Sequence, residues 1–208
     1  MNKPLEEGLQ RLNIEVSGEQ LKQMGLFISE IELFNPAYKL VSYSDEDELV
    51  IRHFLDCLAA VPVIEKNLNE NGTIADLGSG AGFPGVLLAI MFPHNRVYLI
   101  ERMTRRAMFL KNVLLRCNLK SAEVVSLDVK DVKDRFDLVT CRAFHPLPDI
   151  ISDADRLMKD NGVLCAYKGR RDYVEAELDM ISGYESTLER VRVPFLDETR
   201  FICTLRRK

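Results

Sequence analysis

The spacing of apolar positions changes near residue 72. In the first 70 residues the apolar positions recur every three or four residues, which predicts helices. The run Ser17-Gly18-Glu19-Gln20 fits a capping box that begins the first of them. A second helix is predicted from Ser44 or Asp45 to Pro62, and Pro36 is expected to keep the segment 34–38 between them from being helical. Residues 1–70 are therefore predicted to form a helical extension.

From residue 73 onward, short β-prone runs alternate with amphipathic segments. The predicted strands are 73–77, 96–100, 122–126, 136–140, 162–167, 185–193 and 200–205. The predicted helices are 84–92, 103–117, 147–159 and 172–181. Alternation with short connections indicates a parallel sheet covered on both faces, and the last two strands, with no helix between them, indicate an antiparallel pair. The expected fold is α/β: a doubly wound, seven-stranded, mostly parallel sheet over residues 71–208, with residues 1–70 packed on it as part of one globular unit.

Composition agrees with a single buried core, because 47% of the 208 residues are hydrophobic and 29% are charged. No run approaches the length of a membrane span, and the start Met1-Asn2-Lys3-Pro4 lacks the apolar region of a signal peptide. We therefore expect a cytosolic, monomeric protein with no membrane partner. The five cysteines are scattered without the spacing of a metal site, so we expect reduced core residues and no metal.

The net charge of −4 disfavours a nucleic-acid partner when it is taken over the whole chain. Its distribution changes that expectation, because residues 1–71 hold 13 acidic against 6 basic side chains and the remainder holds 19 acidic against 22 basic. The basic residues also cluster, around 102–111, 168–171 and 200–208. Such clusters are typical of solvated faces and also of phosphate contacts.

The run Asp76-Leu77-Gly78-Ser79-Gly80-Ala81-Gly82-Phe83-Pro84-Gly85 carries the strongest chemical signal. Its glycines tolerate positive φ and allow a ligand to approach the backbone closely. Because the run joins a predicted strand to a predicted helix, its N–H groups lie at a helix N-terminus, where a polar or anionic group is stabilised. The residues predicted to bind a cofactor here are Asp76, Gly78, Ser79, Gly80 and Gly82.

The carboxyl ends of the predicted strands carry further polar side chains. Glu101 follows the second strand, Asp128 lies near the end of the third, Arg142 closes the fourth and Lys168 closes the fifth. In doubly wound sheets ligands bind at this edge. An acid that closes the second strand is the expected partner of ribose hydroxyls, so Glu101 and the glycine run together indicate a nucleoside-bearing cofactor.

The glycine spacing alone leaves two cofactors open. Gly80-x-Gly82-x-x-Gly85 satisfies the dinucleotide fingerprint, so a small NAD-dependent oxidoreductase is one alternative. Against NAD, Asp76 would repel a pyrophosphate, and the chain after the loop completes one sheet without leaving a substrate domain. S-adenosylmethionine offers an ammonium for Asp76, a carboxylate for the loop and a ribose for Glu101, and it is the predicted cofactor.

The run at 76–85 resembles the first motif of Rossmann-like, class I methyltransferases that use S-adenosylmethionine, and its Phe-Pro-Gly ending is similar to the bacterial RsmG (GidB) family. The matching positions are Asn35, Leu40, Arg52-His53-x-x-Asp56, Glu101, Arg106, Phe109-Leu110, Arg142-Ala143-Phe144, Lys168-Gly169 and Arg200. Members of that family methylate N7 of a guanine in the 530 loop of 16S ribosomal RNA. The resemblance therefore implies that activity, with 16S RNA or the small ribosomal subunit as partner.

The resemblance also implies roles for individual residues. The implied cofactor contacts are Gly78, Phe83, the backbone of Val129 and Lys130, and Arg142. The implied RNA contacts are Arg52, His53, Lys168 and Arg200. Asp128 stands where members often carry Arg, and we expect it to accept from the adenine N6 amino group, as the strand-three acid does in many methyltransferases. A non-catalytic RNA-binding assembly factor with a vestigial loop is the remaining alternative.

The expected chemistry needs little machinery. Guanine N7 has a free lone pair, so methyl transfer to it is an in-line displacement that needs no general base. Arg142 is the predicted catalytic residue, donating to guanine O6 or to the cofactor, because a bidentate contact to O6 and N7 would block the nucleophile. Phe144 or Phe83 is expected to stack on a base or on adenine, or to belong to the core. Asp56 is expected to pair with Arg52, one helical turn away.

Overall fold

A computed structural model describes residues 2–208. The helices are α1 (Lys3–Arg11), α2 (Gly18–Tyr38), α3 (Glu46–Leu49), α4 (Asp56–Leu58), α5 (Val61–Asn67), α6 (Gly85–Met91), α7 (Thr104–Arg116), α8 (Leu147–Leu157) and α9 (Arg171–Asp179), with a π-helical turn (Val50–Leu55) between α3 and α4 and a 3-10 turn at Val129–Asp131. The strands are β1 (Thr73–Leu77), β2 (Arg96–Ile100), β3 (Ala122–Val125), β4 (Phe136–Arg142), β5 (Met158–Lys168), β6 (Tyr184–Val191) and β7 (Arg200–Arg207).

The strands of the described chain form one seven-stranded sheet in the order β3-β2-β1-β4-β5-β7-β6. Strands β1 to β5 run parallel, β7 is antiparallel to β5, and β6 is antiparallel to β7. The predicted doubly wound, mostly parallel fold is thereby confirmed. The strand order reverses between β1 and β4, and in such sheets this switch point opens a crevice at the carboxyl ends of the strands.

The two faces of the sheet belong to two different apolar clusters. Because strand side chains alternate between faces, Ile74 points into a cluster that contains the N-terminal helices, α6 and α7, while Ala75 points into a cluster that contains α8. The first cluster contains buried side chains of residues 5–64 together with side chains of the sheet, and Phe27 and Phe54 are among them. The N-terminal helices are therefore positioned rigidly enough to contribute side chains to the switch point.

The N-terminal helices depart from expectation in one segment. The capping box is present, because Ser17 Oγ accepts from the N–H of Gln20 at 3.2 Å and Gln20 Oε1 accepts from the N–H of Ser17 at 2.8 Å. The prediction that Pro36 keeps residues 34–38 from being helical is wrong, since α2 continues to Tyr38. Pro36 lies in the last turn, and Asn35 Oδ1 accepts from the N–H of Leu40 and of Val41 at 2.8 and 3.0 Å. The side chain of Asn35 thus stabilises the end of the helix despite the proline. Helix α1 has no counterpart in the sequence prediction.

Apolar burial accounts for the cysteines, all of which are buried as free thiols. Burial raises the pKa of Cys57 and of Cys141 to about 12, so both are thiols rather than thiolates at neutral pH. Among residues 2–208, none of the helices has both the length and the apolarity required to cross a membrane.

Candidate active site

The glycine loop after β1 turns by left-handed backbone conformations. Gly78, Gly80 and Gly82 have φ of 67°, 57° and 99°, which L side chains rarely adopt. Ser79 lies buried within the turn, where its Oγ donates to the carbonyl of Asp76 at 3.0 Å. The loop is therefore a fixed element rather than a flexible connection.

Asp76 supports this loop from below. Its Oδ2 accepts from the N–H of Gly85 at 3.1 Å, and a Cβ at Gly85 would stand 2.6 Å from the same oxygen, so only glycine fits there. Its Oδ1 is the one buried side-chain polar atom without a hydrogen-bond partner among residues 2–208. Burial raises the pKa of Asp76 to about 7. An open acceptor on a buried carboxylate fits a cationic group brought to the loop, such as the ammonium of S-adenosylmethionine.

Glu101 ties the end of β2 to the loop. Its Oε2 accepts from the N–H of Gly80 at 3.0 Å and its Oε1 from the N–H of Met103 at 2.7 Å. The residue is 4% exposed and lines a cavity. A carboxylate oxygen has two lone pairs, so Glu101 retains capacity to accept from a ribose hydroxyl while it holds the loop.

We call this space the acidic cavity; it measures about 600 Å³ and contains the side chains of Glu101, Asp128, Asp149 and Asp153. Gly78 and Val129 also line it. Asp128 lies on the wall, with its Oδ2 3.4 Å from Nη1 of Arg102. Four carboxylates and a glycine turn at the carboxyl ends of β1, β2 and β3 fit the ribose, the adenine amino group and the ammonium of S-adenosylmethionine.

Several residues predicted to touch the cofactor lie elsewhere. Phe83 is 5% exposed and packs on Phe27 and Phe54 with ring centroids 5.1 and 5.2 Å apart, so its ring belongs to the core, while a contact of Phe83 with the cofactor stays a prediction. The expected cofactor contacts that do not line the acidic cavity are Asp76, Ser79, Gly80, Gly82, Phe83, Lys130 and Arg142. Except for the last two, these residues build or support the loop from within.

A second space of about 590 Å³, which we call the arginine cavity, lies between β4, β5, β7 and the N-terminal helices. Arg142 closes β4 on its wall and is held by three acceptors from one helical segment. Its Nη1 donates to Oδ2 of Asp56 at 2.7 Å and to the carbonyl of Arg52 at 3.2 Å, and its Nη2 donates to Nδ1 of His53 at 2.7 Å. Its Nε–H and one hydrogen of Nη2 have no acceptor among residues 2–208. Arg142 therefore presents two free donors in a fixed orientation.

The predicted RNA contacts meet in the arginine cavity, which Arg52, His53, Lys168 and Arg200 all line. Arg200 donates from Nε to Oδ1 of Asp56 at 2.8 Å and from Nη2 to Glu198 at 2.7 Å. Arg52 pairs with Glu198 at 3.2 Å and with Glu48 at 3.0 Å. Each of these cations is thus already neutralised by a carboxylate.

Asp56 was expected to pair with Arg52, and that expectation is wrong. Asp56 is 6% exposed and bridges Arg142 and Arg200. Both ring nitrogens of His53 have protein partners, because one faces Arg142 and the other lies 3.3 Å from the carbonyl of Ser42, and the RNA contact of His53 stays a prediction. The spacing His53-x-x-Asp56 indicates that the two side chains lie on the same face of a helix. Only the fold shows that β4, which carries Arg142, packs against that face.

Lys168 closes β5, and its Nζ lies 2.6 Å from Oε2 of Glu177 on α9. The same carboxylate oxygen accepts from the N–H of Leu147 at 2.9 Å. Glu177, which was not singled out in the sequence, therefore joins β5 to the start of α8, directly after the segment that separates the two cavities.

The two cavities share one wall, formed by Ala143, Phe144 and His145. Ala143 has a φ of 51°, an uncommon conformation for a residue with a Cβ. The ring of Phe144 lies directly on the glycine loop, since a Cβ at Gly78 would stand 2.3 Å from Cδ2 of that ring. The same three residues therefore lie beside both cavities.

Metal ligands and cysteine are two further kinds of catalytic group. Within residues 2–208 no group of His, Cys, Asp or Glu has the arrangement of a metal site. Cys141, which directly precedes Arg142 in the sequence, is a buried thiol. The arrangement provides hydrogen-bond donors and acceptors on helices and strands, on each side of the wall formed by residues 143–145. Such groups can hold and orient ligands.

Comparison with known proteins shows the family to which this chain is similar. A model of the family described as "GidB: rRNA small subunit methyltransferase G" matches residues 20–203. A Borrelia hermsii protein named "Ribosomal RNA small subunit methyltransferase G" is 32% identical over 185 residues, covering 88% of each chain, and a protein of the same name from Treponema denticola is 32% identical, covering 96% of this chain and 92% of its own. The fold is similar to that of Aeropyrum pernix fibrillarin, solved with natively bound S-adenosyl-L-methionine: TM-score 0.56 and 17% identity over 71% of this chain and 73% of that one.

Proposed function

This chain belongs to the rRNA small subunit methyltransferase G family, and from that premise we propose that it methylates N7 of a guanine in the 530 loop of 16S ribosomal RNA. It is an S-adenosylmethionine-dependent enzyme acting on ribosomal RNA. The nicotinamide alternative gains no support, because the matched family and relatives are methyltransferases. The observation that carries the proposal is the shared wall, which adjoins a cavity suited to the cofactor and a cavity suited to a base.

We assign the acidic cavity to the cofactor. Glu101 is the proposed acceptor for the ribose hydroxyls and Asp128 for the adenine amino group. Asp76 lies behind the glycine loop and does not line this cavity, and its open oxygen is the proposed acceptor for the ammonium. S-adenosylmethionine supplies a sulfonium-activated methyl group. The carboxylates on this wall would also keep the RNA backbone away from the cofactor cavity, because phosphates are repelled by them.

We assign the arginine cavity to the target base. The free donors of Arg142 suit the O6 carbonyl of guanine, and a contact to O6 alone leaves N7 free to attack. Methyl transfer gives the purine a positive charge. Asp56 lies 2.7 Å from Arg142 and 2.8 Å from Arg200, so it offsets their charge and lowers their repulsion of the methylated base. The residues of this cavity need only hold and orient, since N7 carries no proton.

Labelled S-adenosylmethionine tests the proposal with small ribosomal subunits from a strain that lacks the activity. We expect one methyl group per 16S RNA, and reverse-transcription mapping should place it as N7-methylguanine in the 530 loop. Label at another position or atom would contradict the proposed site, and label absent from RNA would contradict the function.

Arg142→Ala separates binding from transfer. We expect kcat to fall about 100- to 1,000-fold, the usual cost of removing a donor positioned at a reacting group, with little change in binding of S-adenosylhomocysteine. Arg135→Ala is the matched control, because Arg135 pairs with the exposed Asp160 away from both cavities. An Arg142→Ala enzyme with unchanged kcat would contradict the role of this arginine.

A further inference from the structure

We propose that His53 is a positioning residue, a neutral imidazole with its proton on Nε2 that holds Arg142 toward the target base; this inference rests on the proposed function. The ring lies in the π-helical turn between α3 and α4. Its Nδ1 is 2.7 Å from Nη2 of Arg142, and its Nε2 is 3.3 Å from the carbonyl of Ser42. Arginine only donates and a carbonyl only accepts, so Nδ1 carries the lone pair and Nε2 carries the hydrogen.

The surroundings of His53 favour this form. Its ring stacks on Phe83 with the centroids 5.3 Å apart and the planes 27° from parallel. Burial lowers the pKa of His53, and the positive charge of Arg142 lowers it further, against opposing contributions from the Ser42 carbonyl and from two acids, Asp56 and Glu48. The ring is therefore uncharged at neutral pH and fixed in one plane.

The ring adds a restraint that Asp56 alone does not supply. Asp56 and the carbonyl of Arg52 both accept from Nη1 of Arg142, which leaves the guanidinium able to rotate about that end. His53 accepts from Nη2 and removes the rotation. A proton on Nδ1 would replace this acceptor by a donor and place two like charges together, which would displace the guanidinium. Activity should therefore fall on the acid side as His53 becomes charged.

Three substitutions separate the two ring nitrogens. His53→Asn places an amide oxygen near the position of Nδ1 and retains the acceptor for Arg142. His53→Gln places its amide nearer to Nε2 and retains the Ser42 contact, and His53→Ala retains neither. We expect kcat to fall about 10- to 100-fold in the Gln and Ala variants, the cost of a small misplacement of a positioned group, and to return to within about threefold of the native value in the Asn variant.

Three further readouts distinguish positioning from a structural role. The Kd for S-adenosylhomocysteine should stay within about twofold in all three variants, because His53 does not line the acidic cavity. The pH profile of kcat should have an acid limb in the native enzyme that the Asn variant lacks. His94→Gln is the control for loss of a histidine, since His94 is exposed in the turn before β2.

Nuclear magnetic resonance of the imidazole nitrogens reads the tautomer without activity. A signal of the neutral form protonated at Nε2, retained below pH 6.5, supports the proposal; a ring charged at pH 7 or protonated at Nδ1 overturns it. Unchanged kcat in the Gln and Ala variants overturns it as well, and so does a loss confined to cofactor affinity. The kcat outcomes are read as total label transferred, so they remain valid if mapping places the methyl group at another base and the proposed target fails. The tautomer and the Kd for S-adenosylhomocysteine do not depend on the RNA target.

Discussion

The acidic cavity and the arginine cavity adjoin each other but are assembled differently. In the acidic cavity a carboxylate accepts from the backbone: Glu101 accepts from the N–H of Met103, two positions away, and from the N–H of Gly80 on the glycine loop. In the arginine cavity side chains bond to side chains across the fold: Asp56 holds Arg142, 86 positions away, and Arg200, 144 positions away. The first cavity depends on local turns and the second on the packing of the N-terminal helices. Substitution of a residue in the acidic cavity should accordingly weaken the binding of the cofactor. Substitution in the arginine cavity should lower both the stability of the fold and the rate of methyl transfer.

The largest expected effect is on stability, from Asp56→Ala. This change leaves two arginine side chains, 16% and 23% exposed, without the carboxylate between them. Removing one member of a buried ion pair typically costs about 3–5 kcal/mol, so we expect the free energy of unfolding in urea to fall by that amount. Asp160→Ala is the control, since its exposed pair with Arg135 should contribute less than about 1 kcal/mol. If Asp56→Ala and Asp160→Ala lowered the free energy of unfolding equally, the arginine cavity would not depend on a buried ion pair.

Asp76→Asn tests the acidic cavity through pH. The pKa of Asp76 is raised to about 7 in the folded chain from 3.8, so between these values the folded state holds a proton that the unfolded state has lost. Stability therefore falls as pH rises from about 4 to 7, by up to about 4 kcal/mol. Asparagine does not titrate and still accepts from Gly85, so the variant should lose this slope.

The same variant should be more stable than the native chain above pH 7 without cofactor, yet should bind S-adenosylhomocysteine more weakly. Urea titrations at pH 5, 7 and 8 measure the first effect and calorimetry the second. A slope that persists in the variant would assign the pH dependence to another group.

Glu101→Gln should affect affinity more than stability. An amide nitrogen cannot accept, so the variant loses a backbone contact to Gly80 or Met103 and the charge that attracts ribose hydroxyls. Hydrogen bonds to charged groups contribute about 1.5–3 kcal/mol, which corresponds to a roughly 10- to 100-fold higher Kd for S-adenosylhomocysteine by calorimetry. Glu123→Gln, on the exposed side of β3, serves as control. Unchanged affinity would place the ribose elsewhere.

The smallest expected effect is that of Lys168→Gln. Lys168 pairs with Glu177, and the two side chains are 13% and 21% exposed. We expect a two- to fivefold higher KM for RNA, corresponding to about 1 kcal/mol, and the same Kd for S-adenosylhomocysteine. Arg171→Gln is the control, since its side chain is 66% exposed. If cofactor affinity changed instead, the assignment of the two cavities would be reversed.

The sequence predicts the strand ends around the acidic cavity well, and the reason is physical. Strands 73–77 and 96–100 were predicted with their observed bounds, because the glycine turn ends the first and Glu101 follows the second. Glu101 and Asp128 then lie on the same wall as a consequence of strand order alone. Their roles as cofactor ligands stay predictions until the binding experiments above are done.

The errors arise where tertiary contacts decide. Pro36 reads as a helix breaker, but the side chain of Asn35 caps the final turn of α2. Asp56 reads as a partner of Arg52, but β4 brings a better-placed arginine against it. The motif around Phe83 leaves open whether the ring contacts a ligand or belongs to the core, where it packs on Phe27 and Phe54. Asp56 and Phe83 contact elements distant in sequence, for which local patterns carry no signal, whereas the contacts of Asn35 are local and depend on the conformation of one side chain.

The wall of Ala143, Phe144 and His145 faces the acidic cavity on one side and the arginine cavity on the other. Whatever shift of the Phe144 ring accommodates a molecule in one cavity also changes the shape of the other. Binding free energies linked in this way are reciprocal: the factor by which RNA alters affinity for the cofactor must equal the factor by which the cofactor alters affinity for RNA. If one cavity accepts its ligand only after the other is filled, the two substrates must bind in a fixed order. The wall would then prevent one substrate from binding without the other.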